Sequence, residues 1–122
     1  MHELALCQAL LEQVLGTARE RGAHRVTAIV LRIGPLAGVE PGLLRRAYSV
    51  ASAGSVAAEA RLAVEEMPVR VRCMKCNAEG EASMGDLSCR SCGYWRTQLI
   101  SGDELLLASV ELERDAEVDV RV

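Results

Sequence analysis

The chain has 122 residues, half of them hydrophobic and a quarter charged, with a formal net charge of -3. That length suits one ordinary domain, or a small core with a minimal module held by something other than burial, and the composition excludes a disordered or fibrous protein. The acidic balance excludes a polyanion binder acting through bulk charge. No apolar run approaches the roughly 20 residues that span a bilayer, and the chain opens on His2 and Glu3 in place of a basic segment followed by an apolar one. A cytoplasmic protein with no membrane partner is expected.

In chain order, Leu4, Cys7, Leu11, Val14, Leu15 and Ala18 fall on one helical stripe, while Glu12, Gln13, Arg19 and Glu20 lie elsewhere, which predicts an amphipathic helix over 4–18 stopping near Gly22. Arg25 to Ile33 reads as a strand with Thr27, Ile29, Leu31 and Ile33 on one face and Val26, Ala28 and Val30 on the other; apolar residues on both faces predict burial. Gly34-Pro35 ends it. Pro41 suits the first turn of a second helix, predicted to run through Leu43, Ala47 and Val50 to Gly54. A second strand is predicted over 60–66 with Leu62 and Val64 inward, ended by Pro68. A third, over 104–113, is expected to bury Leu106, Ala108, Val110 and Leu112, and the tail from Arg114 reads as a weak edge strand.

This order gives an α+β fold: two helices packed on one face of a three-stranded sheet, with an inserted zinc-ribbon module. The expected boundaries are 1–68 and 101–122 for the α+β domain and 69–100 for the insertion. Few large apolar residues occur in the insertion, so it needs a staple. There is no internal repeat beyond the two cysteine pairs, and no low-complexity segment.

Those pairs are Cys73-Met74-Lys75-Cys76 and Cys89-Arg90-Ser91-Cys92, two identical spacings 12 residues apart. A hairpin of that length can bring both around one ion, and two such knuckles supply the tetrahedral sulfur set that zinc prefers. In a reducing compartment, paired cysteines point to metal or redox chemistry before disulfides. A thioredoxin-like dithiol needs one pair and a redox fold around it, and iron could take the same ligands. Gly93 permits the backbone turn that aims amides at the sulfurs. With four thiolates and zinc the loaded protein carries about -5. Cys7 falls on the apolar stripe of the first helix and reads as core, in preference to a fifth ligand or nucleophile. Arg70, Arg72, Lys75, Arg90 and Arg96 oppose Glu79, Glu81 and Asp86 within the insertion, an excess that the loaded zinc site cancels. Tyr94 and Trp95 are expected to pack on the hairpin rather than to stack on a nucleic-acid base.

Met1-His2-Glu3 places a terminal amine, an imidazole, a carboxylate and adjacent amides close together, and a bulky second residue predicts retention of the methionine. Nitrogen-rich sets suit Ni(II) and Cu(II); a solvated helix start accounts for the same residues.

Met1-His2-Glu3-Leu4, Ile33-Gly34-Pro35-Leu36 with Pro41 and Leu44, Pro68 before the two cysteine pairs and Gly93, and Ser101-Gly102-Asp103-Glu104-Leu105 together resemble the HypA/HybF family of hydrogenase nickel incorporation proteins. The likeness covers nearly the whole chain. It implies a nickel-binding α+β domain with a zinc domain inserted before the last strand, nickel bound by His2 with the Met1 amine and the backbone of His2 and Glu3, and zinc bound by Cys73, Cys76, Cys89 and Cys92. By the same resemblance the chain is a metallochaperone, not an enzyme, that delivers nickel to the large subunit of a [NiFe]-hydrogenase precursor with a HypB-type GTPase; urease maturation factors are further candidate partners. Members usually carry phenylalanines in the second helix, where this chain has Leu44, Tyr48 and Val50, and a threonine where it has Ser55.

Two other functional classes predict different behaviour. A zinc-ribbon adaptor for nucleic acid or protein predicts salt-sensitive affinity independent of His2, and net charge opposes a nucleic-acid partner. A thiol redox enzyme needs one reactive, metal-free pair with a depressed thiol pKa. No Ser-His-Asp set or glycine-rich phosphate loop is present, and Glu65-Glu66 reads as an edge pair rather than an acid-base couple.

Overall fold

The first helix, α1 (His2–Glu20), buries Cys7, Leu10, Leu11, Val14 and Ala18, spacings of three and four that keep one face against the core. It ends where the Arg21 amide reaches the Thr17 carbonyl at 3.1 Å and Gly22 turns the chain at φ 65°. The structure is a computed structural model and describes residues 2–114. Met1 and the weak strand expected beyond Arg114 lie outside the described residues.

Strand β1 (Ala23–Ile33) follows, with Val26, Ile29, Leu31 and Ile33 buried. After a 3-10 turn at Pro35–Ala37, α2 (Pro41–Ser52) begins with proline in its first turn, where a missing N–H costs nothing. The Glu40 carboxylate caps it, accepting the Gly42 amide at 3.1 Å and the Leu43 amide at 2.8 Å. Strands β2 (Arg61–Glu66) and β6 (Leu105–Arg114) flank β1 in the order β2-β1-β6. Between β2 and β6 in the chain, β3 (Arg70–Cys73) pairs antiparallel with both β4 (Glu79–Glu81) and β5 (Thr97–Ser101), making a second three-stranded sheet.

The structure defines which face of α2 is inward and corrects one expectation, for β6. The face of α2 toward the core carries Leu44, Tyr48 and Ser52, whereas Leu43 is exposed and Val50 is 71% exposed. The cause is specific: the Cys7 thiol donates to the Leu44 carbonyl at 3.4 Å, the Tyr48 hydroxyl donates to the Ala57 carbonyl at 2.6 Å, and the Arg45 guanidinium donates to the Leu62 carbonyl. In β6, Leu106 and Ala108 are exposed while Leu105, Leu107, Val110 and Leu112 are half-buried. The alternation changes phase across Ala108-Ser109, which a strict two-residue period does not anticipate.

The chain divides into two compact units. One comprises the chain up to Leu31, Val39–Val64 and the strand from Leu107; the other comprises Arg32–Gly38 with Glu65–Leu106. The first holds the α1–α2 core. In the second, Val69, Val71, Cys73 and Cys89 are buried along with Ile33, a core too small to stand by burial alone.

Candidate metal centre

Strand β3 delivers Cys73 buried at its end, and Asn77 then turns back through the left-handed region at φ 61°, its amide donating to the Cys73 carbonyl at 3.1 Å. The second knuckle repeats this turn: Gly93 lies at φ 78° and its amide donates to the Cys89 carbonyl at 2.8 Å. Gly93 was legible in the sequence; Asn77 was not, although asparagine is the residue that most readily stands in for glycine there.

The two turns bring all four sulfurs within 4.8 Å of one another. Cys73 Sγ lies 3.6 Å from Cys92 Sγ, and Cys76 Sγ lies 3.7 Å from Cys89 Sγ. Disulfide sulfurs sit at about 2.05 Å, so these are free thiols. A tetrahedral zinc with bonds of about 2.3 Å sets its sulfurs about 3.8 Å apart, so the donor set fits that ion. Backbone amides face the sulfurs: Lys75 and Cys76 donate to Cys73 Sγ at 3.3 and 3.4 Å, and Cys92 donates to Cys89 Sγ at 3.4 Å. The Cys92 and Ser91 amides hold the Cys89 thiol down to about 6. The Tyr94 amide favours the Cys92 thiolate as well, but burial and the neighbouring sulfurs push that thiol up to about 11. Four anionic sulfurs this close repel one another, and a divalent cation relieves the repulsion.

Cys7 takes no part in this cluster. It is fully buried, and burial followed by the Glu3 charge raises its thiol pKa, so it packs as core and is no nucleophile. Trp95 corrects another expectation: it is 74% exposed instead of packed on the hairpin, because Val69, Val71, Cys73 and Cys89 already fill the buried positions of the ribbon.

At the other candidate site, His2 is exposed at the first residue of α1. The Glu3 carboxylate accepts the Glu40 amide at 3.4 Å, which ties the start of α1 to the cap of α2. Its pKa is lowered, first by its own backbone amide and then by that of Glu40. The role of Glu40 was missed from sequence, where the only signal was an acidic residue directly before Pro41. His24, the remaining histidine, lies 3.2 Å from Glu113.

Residues 1–112 match the family model described as "Hydrogenase/urease nickel incorporation, metallochaperone, hypA". The chain belongs to the HypA family. Among HypA relatives, the hydrogenase maturation factor HypA of Nitrosospira multiformis is 46% identical over 112 residues, 92% of this chain and 97% of that protein. HypA of Aquifex aeolicus is 42% identical over 115 residues, 94% of this chain and the whole of its own. The solution structure of the Ni metallochaperone HypA from Helicobacter pylori has the same fold, with a TM-score of 0.70 at 22% identity, covering 93% of this chain and 98% of that one. A second HypA solution structure gives a TM-score of 0.74, also at 22% identity.

Proposed function

We propose that this HypA-family chain carries Ni(II) to the large subunit of a [NiFe]-hydrogenase precursor, holding the ion at Met1, His2 and Glu3. Zinc held by Cys73, Cys76, Cys89 and Cys92 supplies structure rather than chemistry, because four protein sulfurs leave no open position. We read 69–100 as the zinc domain inserted in a nickel-binding domain of 1–68 and 101–122. The observation that carries the nickel reading is the place of His2 and Glu3 at the exposed start of α1. The first amides of a helix have no carbonyl partner within it, so metal can displace their protons without breaking a helical hydrogen bond. The positive end of the helix dipole opposes a cation there, and the Glu3 carboxylate offsets it. Such a site is exposed and only moderately tight, as a carrier requires.

The ion is handed on unchanged, so the chain performs no catalytic step in this reading. A HypB-type GTPase is the proposed partner, urease maturation factors are further candidates, and the cytoplasm is the proposed compartment. Among the described residues no helix is long and apolar enough to cross a membrane. A nucleic-acid adaptor is not favoured.

Calorimetric Ni(II) titration of the zinc-loaded chain tests the proposal. His2→Ala and an extension preceding Met1 should weaken nickel binding to about the same degree while zinc content stays constant. Unchanged nickel affinity in both variants would place the ion elsewhere, with His24 and the cysteines as the remaining donors.

A further inference from the structure

The charges of the ribbon cancel when its side chains and the loaded zinc centre are summed, but the fold separates them. On the sheet, Arg72 is paired with Glu79 at 2.7 Å. At the knuckle end, Lys75 and Arg96 are exposed, and among the described residues neither has a carboxylate partner. Between them stand the aromatic residues. Lys75 Nζ sits 5.5 Å from the centre of the Tyr94 ring, which is 6.0 Å from the Trp95 ring and tilted 43° to it. The Met74 amide donates to the Arg96 carbonyl at 3.1 Å, so the exposed Met74 side chain belongs to the same tip.

We propose that this tip is a docking surface for an acidic peptide segment carrying an apolar side chain. An indole 74% exposed, touched on one side by Tyr94, is the residue type most often dominant in protein contacts and leaves most of its surface open to a partner. Met74 adds an adaptable apolar contact. The two unpaired cations complement carboxylates on the segment. Backbone amides face Cys73 Sγ and Cys89 Sγ, the two buried sulfurs of the centre, whereas the Lys75 and Arg96 side chains are exposed.

Single-stranded nucleic acid would need successive stacking platforms, and one face of Tyr94 is taken by Lys75. A lipid surface would need a larger apolar face for stable binding. The proposal is independent of nickel and of the assignment of its site.

Trp95 is the sole tryptophan, so its emission reports the patch directly. The zinc-loaded full chain is titrated with a short synthetic peptide of aspartate and leucine, and in parallel with the lysine-leucine counterpart, single-stranded oligouridylate and phosphatidylserine vesicles. Only the aspartate-leucine peptide should blue-shift the emission and saturate, with affinity falling as salt rises. By calorimetry, Trp95→Ala and the double variant Lys75→Glu/Arg96→Glu should each bind it at least about tenfold more weakly, with zinc content equal to wild type. No shift, full affinity in the charge-reversed variant, or a stronger response to oligouridylate or vesicles overturns the proposal.

Discussion

Gly34 and Gly102 meet backbone to backbone. A Cβ built on Gly34 would overlap the Gly102 carbonyl group and lie 2.7 Å from its Cα. The contact is held by the Leu36 amide donating to the Gly102 carbonyl at 2.7 Å and the Gly34 amide donating to the Glu104 carbonyl at 2.9 Å. Gly102 sits at φ 121°, where L side chains are strained, and a Cβ there would meet Val69 at 3.0 Å. Gly34→Ala and Gly102→Ala should each cost more than about 2 kcal/mol in denaturant unfolding. Gly85→Ala, with nothing within 4 Å of its added Cβ, should stay within about 0.5 kcal/mol. Equal stabilities for the three variants would show that this approach does not constrain the fold.

The two apolar stripes of α2 should respond oppositely. Leu44 is 1% exposed, so Leu44→Ala should cost roughly 2–5 kcal/mol. Val50→Lys should change stability by no more than about 0.5 kcal/mol, because Val50 has most of its surface in water. Thermal melts of the pair check this rotation of the helix.

Capping by Glu40 gives a third expectation. Its carboxylate satisfies two amides of the first turn of α2, so Glu40→Ala should destabilise by about 1 kcal/mol. Asparagine, which also caps, should recover part of that loss. Comparable melting of Glu40→Ala and wild type would remove the cap from the account.

Metal removal should act on one unit. The ribbon buries few apolar side chains of its own, so stripping zinc with a chelator, or Cys89→Ser, should melt residues 69–100 while the helical signal of α1 and α2 persists. Hydrogen exchange resolved by segment measures this. Cys7→Ser should leave zinc stoichiometry unchanged. Retention of one zinc per chain in Cys89→Ser would defeat the four-sulfur assignment.

The pH dependence includes a contribution from Glu79. Its pKa is lowered, chiefly by the hydrogen bond from Arg72 and then by the Arg72 charge. A depressed carboxylate contributes stability above its unfolded pKa and loses it as pH falls through the folded value. Both side chains are about half exposed, so the contribution is small and screened by salt. Carboxyl NMR titration should find Glu79 below the usual range in wild type and returned toward it in Arg72→Gln.

Much of this protein was legible without coordinates because the signals are local. The stripe of Cys7, Leu11, Val14 and Ala18, Pro41 at a helix start, and two cysteine pairs at equal spacing each act over a few residues, where backbone stereochemistry and period decide the outcome. Each tight turn brings its own two thiols to one side, and the equal spacing of the pairs pointed to one shared ion. What tertiary structure decided were choices between near-equal local options. Leu44 or Leu43 could equally have faced inward until Cys7 and Ala57 supplied hydrogen-bond partners for one face of α2. Leu106 and Ala108 read as core until the alternation of β6 changed phase. Trp95, an aromatic beside a metal knuckle, reads as packing until Val69 and Val71 are found to have filled the ribbon. Gly34 and Gly102 gave no sign in the sequence that the first leaves space for the second and the second for Val69, since close approach of distant backbones has no local period.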